Sequence, residues 1–111
     1  MKKIIATILA LCMILGLAGV ANAEATTLTM WTFIAQHQEF YESMAKLWNE
    51  QNPDRQIDLQ VTTIGYDDMH NKYKIALQAD EGAPDLCDVE LGQFPNVLTF
   101  IDKLTDLTPY M

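Results

Sequence analysis

Three runs rich in β-branched and aromatic residues alternate with two amphipathic helical patterns, and this alternation constrains the chain more than any other feature. The first run is Thr27-Leu28-Thr29-Met30-Trp31-Thr32-Phe33. As a strand it turns Leu28, Met30 and Thr32 to one face and Thr29, Trp31 and Phe33 to the other. Phe40, Met44, Leu47 and Trp48, widened by Tyr41 and Ala45, then recur at helical spacing and predict a helix over about Gln38–Glu50 with this stripe against a sheet. Asn52-Pro53-Asp54 reads as a turn. Ile57 to Ile64 is the second strand, and its apolar/polar alternation suggests an edge position or a partly exposed face. Met69, Tyr73, Ala76 and Leu77 form the stripe of a second helix, about Asp67–Ala79, with Asp67 or Asp68 at its start and Gly82 as its C-terminal cap. Leu86 to Val89 is the third strand, and Phe94 to Ile101 a short helix with Pro95 in its first turn. The order β-α-β-α-β-α, with crossovers long enough for parallel pairing, predicts an α/β fold: a three-layer sandwich around a mostly parallel sheet.

The C-terminal ends of such strands are where open α/β sheets present ligands. In Gly82-Ala83-Pro84-Asp85-Leu86-Cys87-Asp88-Val89-Glu90 the helix stops, Pro84 blocks its continuation, and a strand begins that closes on two acids. Asp88 and Glu90, two apart on a strand, are expected to share a face. His37 follows the first strand and is a candidate cleft residue; His70 is expected on a helix surface, toward solvent or a groove rim. Trp31 reads as either a ring platform for a ligand or a core residue, whereas Phe33 reads as core. Neither histidine has a second metal ligand at a recognisable spacing, so no metal and no cofactor is expected.

The N-terminus reads as a secretory signal peptide over residues 1–23. Lys2 and Lys3 precede an apolar run from Ile4 to Val20, and Ala21-Asn22-Ala23 is a small-x-small cleavage site. Leu17-Ala18-Gly19 resembles the start of a lipoprotein box, but Val20 stands where its cysteine belongs. Cys12 lies within the run after Leu11. The expected product is therefore soluble and exported: extracellular, envelope-associated or periplasmic. The chain carries 7 basic and 15 acidic residues; losing Lys2 and Lys3 moves its charge from −8 to −10. That charge opposes binding to nucleic acid or anionic lipid. Cys87 is left as the one cysteine of residues 24–111, which precludes an internal disulfide and reads as a buried structural thiol.

Several stretches carry a resemblance: Leu28-Thr29-Met30-Trp31, Phe40 through Glu50, Asn52-Pro53 followed by Ile57-Asp58-Leu59, Tyr66 through Leu77, Gly82-Ala83-Pro84-Asp85, and Leu104 through Tyr110. In this order, behind an export signal, they resemble the N-terminal part of bacterial extracellular solute-binding proteins of ABC transporters, in the sugar-binding branch. The resemblance implies that residues 24–111 are part of the first lobe of a periplasmic-binding-protein-like fold. It implies two lobes closing on a solute, here a carbohydrate, and delivery to membrane permease subunits, with no enzymatic step. Matching positions put Trp31 and the residues just after its strand near the solute, Asp88 to Gly92, including Glu90, on the same wall, and His37 close by. Members of that family are several times longer, so the third strand is expected to show an unpaired edge. Two rivals stand beside this reading. One is a secreted glycoside hydrolase using the Asp88/Glu90 carboxylates; the other is a non-functional structural fragment.

Overall fold

The computed structural model describes residues 24–111; residues 1–23, read above as a signal peptide, lie outside the described residues. Strand β1 (Thr26–Thr32) leads into helix α1 (Ala35–Gln51), β2 (Ile57–Thr63), α2 (Tyr66–Ala79) and β3 (Leu86–Cys87). A 3-10 turn (Leu91–Gln93), the short helix α3 (Phe94–Leu98) and two further 3-10 turns (Ile101–Lys103, Thr108–Tyr110) follow. The sheet order is β2-β1-β3 with both pairings parallel, as the alternation predicts. β2 is an edge strand, again as expected.

Register assigns the two faces. Thr26 to Thr32 pair with Ile57 to Thr63 in step, and Met30 and Trp31 pair with Leu86 and Cys87. Met30, Thr32, Val61, Thr63 and Leu86 therefore share one face, and Trp31, Thr62 and Cys87 the other. α1 lies on the first face, where Thr63 Oγ1 donates to Gln38 Oε1 at 2.6 Å and His37 reaches Asp88. α2 lies on the second: Met69, Tyr73 and Leu77 form a buried cluster with Val97 of α3, packed against Trp31, Phe33, Ile64, Cys87 and Val89. The chain steps from β1 to one side and back past β1 to the other, so a constant crossover hand puts the two helices on opposite faces. The result is the expected three-layer arrangement.

The two helices differ in how well the sequence foretold them. The α2 stripe is as expected, with Met69, Tyr73, Ala76 and Leu77 all buried. Its C-terminal cap is Asp80, not Gly82: Asp80 takes the left-handed conformation (φ 58°) and its N–H reaches the Ala76 and Leu77 carbonyls. Gly82 is also left-handed, at φ 75°, and serves the turn into β3. α1 begins at Ala35, three residues before the expected Gln38, because Ile34 is extended and the helix needs no capping side chain to start. Only the edge of its apolar stripe that holds Tyr41 and Ala45 faces the sheet. Half-buried His37, Tyr41, Ala45 and Asn49, spaced by four, are turned inward, while Phe40 is 57% exposed and Met44, Leu47 and Trp48 over 40%. Periodicity finds a stripe but not which of its edges meets the neighbour, and here polar anchors set the rotation. The Asn49 side chain takes the Ile57 N–H and donates to the Ile57 carbonyl, both at 2.8 Å, which fixes the start of β2. Trp48 donates its indole N–H to Arg55 and lies under that guanidinium.

β3 ends at Cys87 rather than Val89. Asp88 N–H still reaches the Trp31 carbonyl at 2.9 Å, but β1 then bends toward α1 and offers no further partner. The start of β3 is pinned instead by a side chain. The Asp85 carboxylate accepts from both the backbone N–H and the hydroxyl of Thr29 at 2.8 Å, and Asp85 N–H donates back to that hydroxyl. On its other side β3 pairs with nothing among the described residues, and Leu86 is 46% exposed there.

The Thr29 backbone N–H, then its hydroxyl, hold the Asp85 carboxyl below its ordinary value. A lowered carboxyl contributes stability that is present above its unfolded value and is lost as pH falls through the folded one. Asp85→Asn is thus expected to unfold at lower urea than the parent at pH 7. The gap is expected to narrow as pH falls below about 4, where the carboxyl of the unfolded parent begins to protonate. A gap that stays constant down to pH 2.5 in paired urea titrations contradicts the pinning role.

Candidate functional site

At the C-terminal end of the sheet the ends of β1 and β3 meet the first turns of α1 and α2. Thr32, the last residue of β1, is wholly buried, and its hydroxyl donates to Asp88 Oδ2 at 2.9 Å. His37, one turn into α1, brings Nδ1 to the same oxygen at 2.5 Å. A carboxylate accepts, so Nδ1 carries the proton and Nε2 is left without a partner among the described residues. The imidazole is nearly half exposed and Asp88 is largely covered. Asp88 thus serves as a covered acceptor that orients a solvent-reaching histidine.

The charge of Asp88 is felt nearby. Burial, reinforced by that charge, raises the Tyr41 phenol. Burial, again followed by Asp88, pushes the Cys87 thiol up to about 12. Cys87 Sγ also lies 3.4 Å from Met69 Sδ, inside the α2 core contact. The thiol is structural, as its apolar strand suggested.

Glu90 is held differently. Its Oε2 accepts from Gly92 N–H at 2.6 Å and from the Tyr66 hydroxyl at 3.2 Å, which caps the 3-10 turn that follows. A Cβ at position 92 would stand 2.8 Å from Oε2, so a side chain there would displace this carboxylate. Oε1 has no partner among the described residues. Phe33 meets the ring partner of each carboxylate: its ring centroid is 6.2 Å from His37 and 5.3 Å from Tyr66, edge-on to both.

Of the residues singled out from sequence, the structure joins His37 to Asp88 and Glu90 to Gly92. It does not put Asp88 and Glu90 on one face in a shared task. β3 ends before them, so period-two alternation lapses, and Asp88 is drawn to α1 while Glu90 is drawn to α2. Trp31 sits one residue deeper than the strand end, packed against the α2 cluster with the Lys72 ammonium 4.4 Å from its ring centroid. His70, expected at solvent or a groove rim, is 8% exposed. Phe33, read as core, packs against the α2 cluster as expected; Tyr66, which donates to Glu90, was not singled out. Tyr66 follows β2 directly and opens α2, so the strand-end rule that selected His37 applies to it equally.

Two known proteins similar to this chain carry the name of a sugar-binding protein, the class that its sequence resembles. Both are named arabinooligosaccharide-binding protein. That of Bacillus subtilis (strain 168) is 43% identical over 118 residues, covering 98% of this chain and 27% of its own length. That of Halalkalibacterium halodurans is 42% identical over 87 residues, covering 78% of this chain and 20% of its own. The chain therefore spans about a quarter or less of the length of these relatives. No protein-family model and no solved structure matches.

A thiol held at about 12 is almost wholly protonated at pH 8, so native Cys87 is expected to react with Ellman's reagent far more slowly than after denaturation. The thiolate fraction predicts a difference of about three orders of magnitude. Comparable rates in buffer and in 6 M guanidinium, on the order used to unfold small domains, contradict a buried thiol.

Proposed function

We propose that this chain contributes one wall of a saccharide site, in a protein that captures a pentose oligosaccharide outside the cell and hands it to the permease subunits of an ABC importer. The likeness to two arabinooligosaccharide-binding proteins, extending over 98% of this chain in one case, carries the reading. The geometry supports it. A sugar offers hydroxyls that both donate and accept, and apolar C–H faces. Among the described residues His37 Nε2 and Glu90 Oε1 are polar atoms left free at the strand ends, and the Phe33 ring packs edge-on to both His37 and Tyr66 nearby. Such a site binds through a few placed polar groups and apolar surface. Gly92 lets the Glu90 carboxylate settle, and Trp31 supports the wall from within the α2 core. Asp88 orients His37.

No bond is made or broken in this reading. The two carboxylates are engaged with different elements, and each serves hydrogen bonding instead of acid–base chemistry. The signal-peptide pattern of residues 1–23 supports export to the cell exterior or envelope. Closure of a second lobe over the solute would signal the permease.

Calorimetric titration with arabinotriose of the protein that carries both walls of the site is expected to give saturable heat and to return the sugar uncleaved. Glu90→Gln, which keeps the shape but loses the charge, is expected to weaken binding about tenfold, the scale of a charge-assisted hydrogen bond made neutral. His37→Ala is expected to do the same. Absence of saturable heat with arabinotriose, or its cleavage to arabinose, overturns the proposal.

A further inference from the structure

We propose that His70 is a positioning residue for Glu90, a role that rests on the saccharide reading of the strand-end site. His70 stands one helical turn after Tyr66 in α2, so both side chains project from the same face of the first turn. Its Nδ1 is 2.7 Å from the Tyr66 carbonyl oxygen. A carbonyl only accepts, so the imidazole proton sits on Nδ1 and Nε2 presents a bare lone pair. Glu90 N–H donates to that lone pair at 3.1 Å.

The consequence is a two-point grip on one residue from one helical turn. His70 Nε2 holds the Glu90 amide, and the Tyr66 hydroxyl holds the Glu90 carboxylate. Glu90 lies past the end of β3, so the sheet ladder no longer holds its amide. With the backbone extended at φ −67°, ψ 145°, the two anchors fix where the chain runs and where the carboxylate leaves it. The grip is rigid because His70 is buried and wedged between rings, 5.1 Å from Phe33 and 4.6 Å from Tyr66 between centroids. Loss of the acceptor frees the 88–92 segment to pivot about Asp88, and Oε1 then loses its fixed aim. A site group gains from such support because positional errors of a fraction of an ångström weaken binding.

The tautomer can be read directly. Nitrogen-15 NMR of the ring-labelled protein, with no ligand, is expected to show a protonated Nδ1, a bare Nε2 and a protected Glu90 amide. Two variants separate the acceptor from packing. His70→Met fills similar volume without an acceptor, and His70→Gln offers a side-chain carbonyl oxygen near the Nε2 position. With arabinotriose as probe, His70→Met is expected to bind about tenfold more weakly, one hydrogen bond's worth, and His70→Gln to recover most of the loss. The Glu90 and Gly92 amides are expected to exchange faster in His70→Met and to be slowed again in His70→Gln. A protonated Nε2 in the parent, or Glu90 exchange unchanged in a folded His70→Met, overturns the positioning role. Should the parent not bind arabinotriose, the saccharide reading fails, while the tautomer and the amide exchange still decide whether His70 holds Glu90.

Discussion

Parallel backbone hydrogen bonding on both edges of β1 is the constraint on which the rest depends. β1 is the strand with a partner on each side, and its register fixes which side chains of β2 and β3 face which helix. Two parallel neighbours require two long crossovers, which become α1 and α2 on opposite faces. Where β1 ends, at Thr32, the supply of ladder partners ends as well, and β3 stops after two residues. The strand-end cluster is a direct result. Its side chains belong to backbone that has just left the sheet and must be held by other means.

Those means are side-chain hydrogen bonds, divided between two anchors. Asp88 takes the Thr32 hydroxyl and the His37 imidazole, tying the chain after β3 to the α1 side. Glu90 takes the Tyr66 hydroxyl and the Gly92 amide, tying it to the α2 side. Two residues that a continuous strand would have placed side by side are thereby parted, and Phe33 packs edge-on to the ring partner of each. Every buried side-chain polar atom among the described residues has a partner, so the cluster is settled in its polar interactions and not strained by orphaned groups. The atoms left free are at the surface, where a polar ligand can use them.

Legibility in the sequence followed the kind of force at work. The α2 stripe was legible because its core is apolar and continuous: Met69, Tyr73, Ala76 and Leu77 face a sheet surface of Trp31, Cys87 and Val89. The α1 stripe misled because polar clamps set that helix's rotation: Asn49 to Ile57, His37 to Asp88 and Gln38 to Thr63 turn Phe40 and Met44 outward. A hydrophobic pattern has no record of which side-chain amide will meet which backbone group. The site was half legible for the same reason. Chain position after a strand pointed to His37, Asp88, Glu90 and Gly92, whereas Tyr66 was not singled out and His70, one turn into α2, was expected at a helix surface and not bonded to Glu90.

By itself the sequence determined the α/β alternation, the parallel crossovers, the burial of α2 and the strand ends as the place where chemistry gathers. These follow from local propensity and from the periods of 3.6 and 2, which are properties of neighbouring residues along the chain. Only the tertiary structure decided the length of β3, the rotation of α1, the depth of Trp31 and the separate partners of Asp88 and Glu90. Most of these rest on contacts between residues far apart in the chain, such as Asp85 with Thr29 and Cys87 with Met69. No local pattern encodes such meetings, because they exist only once the sheet has brought its strands into register.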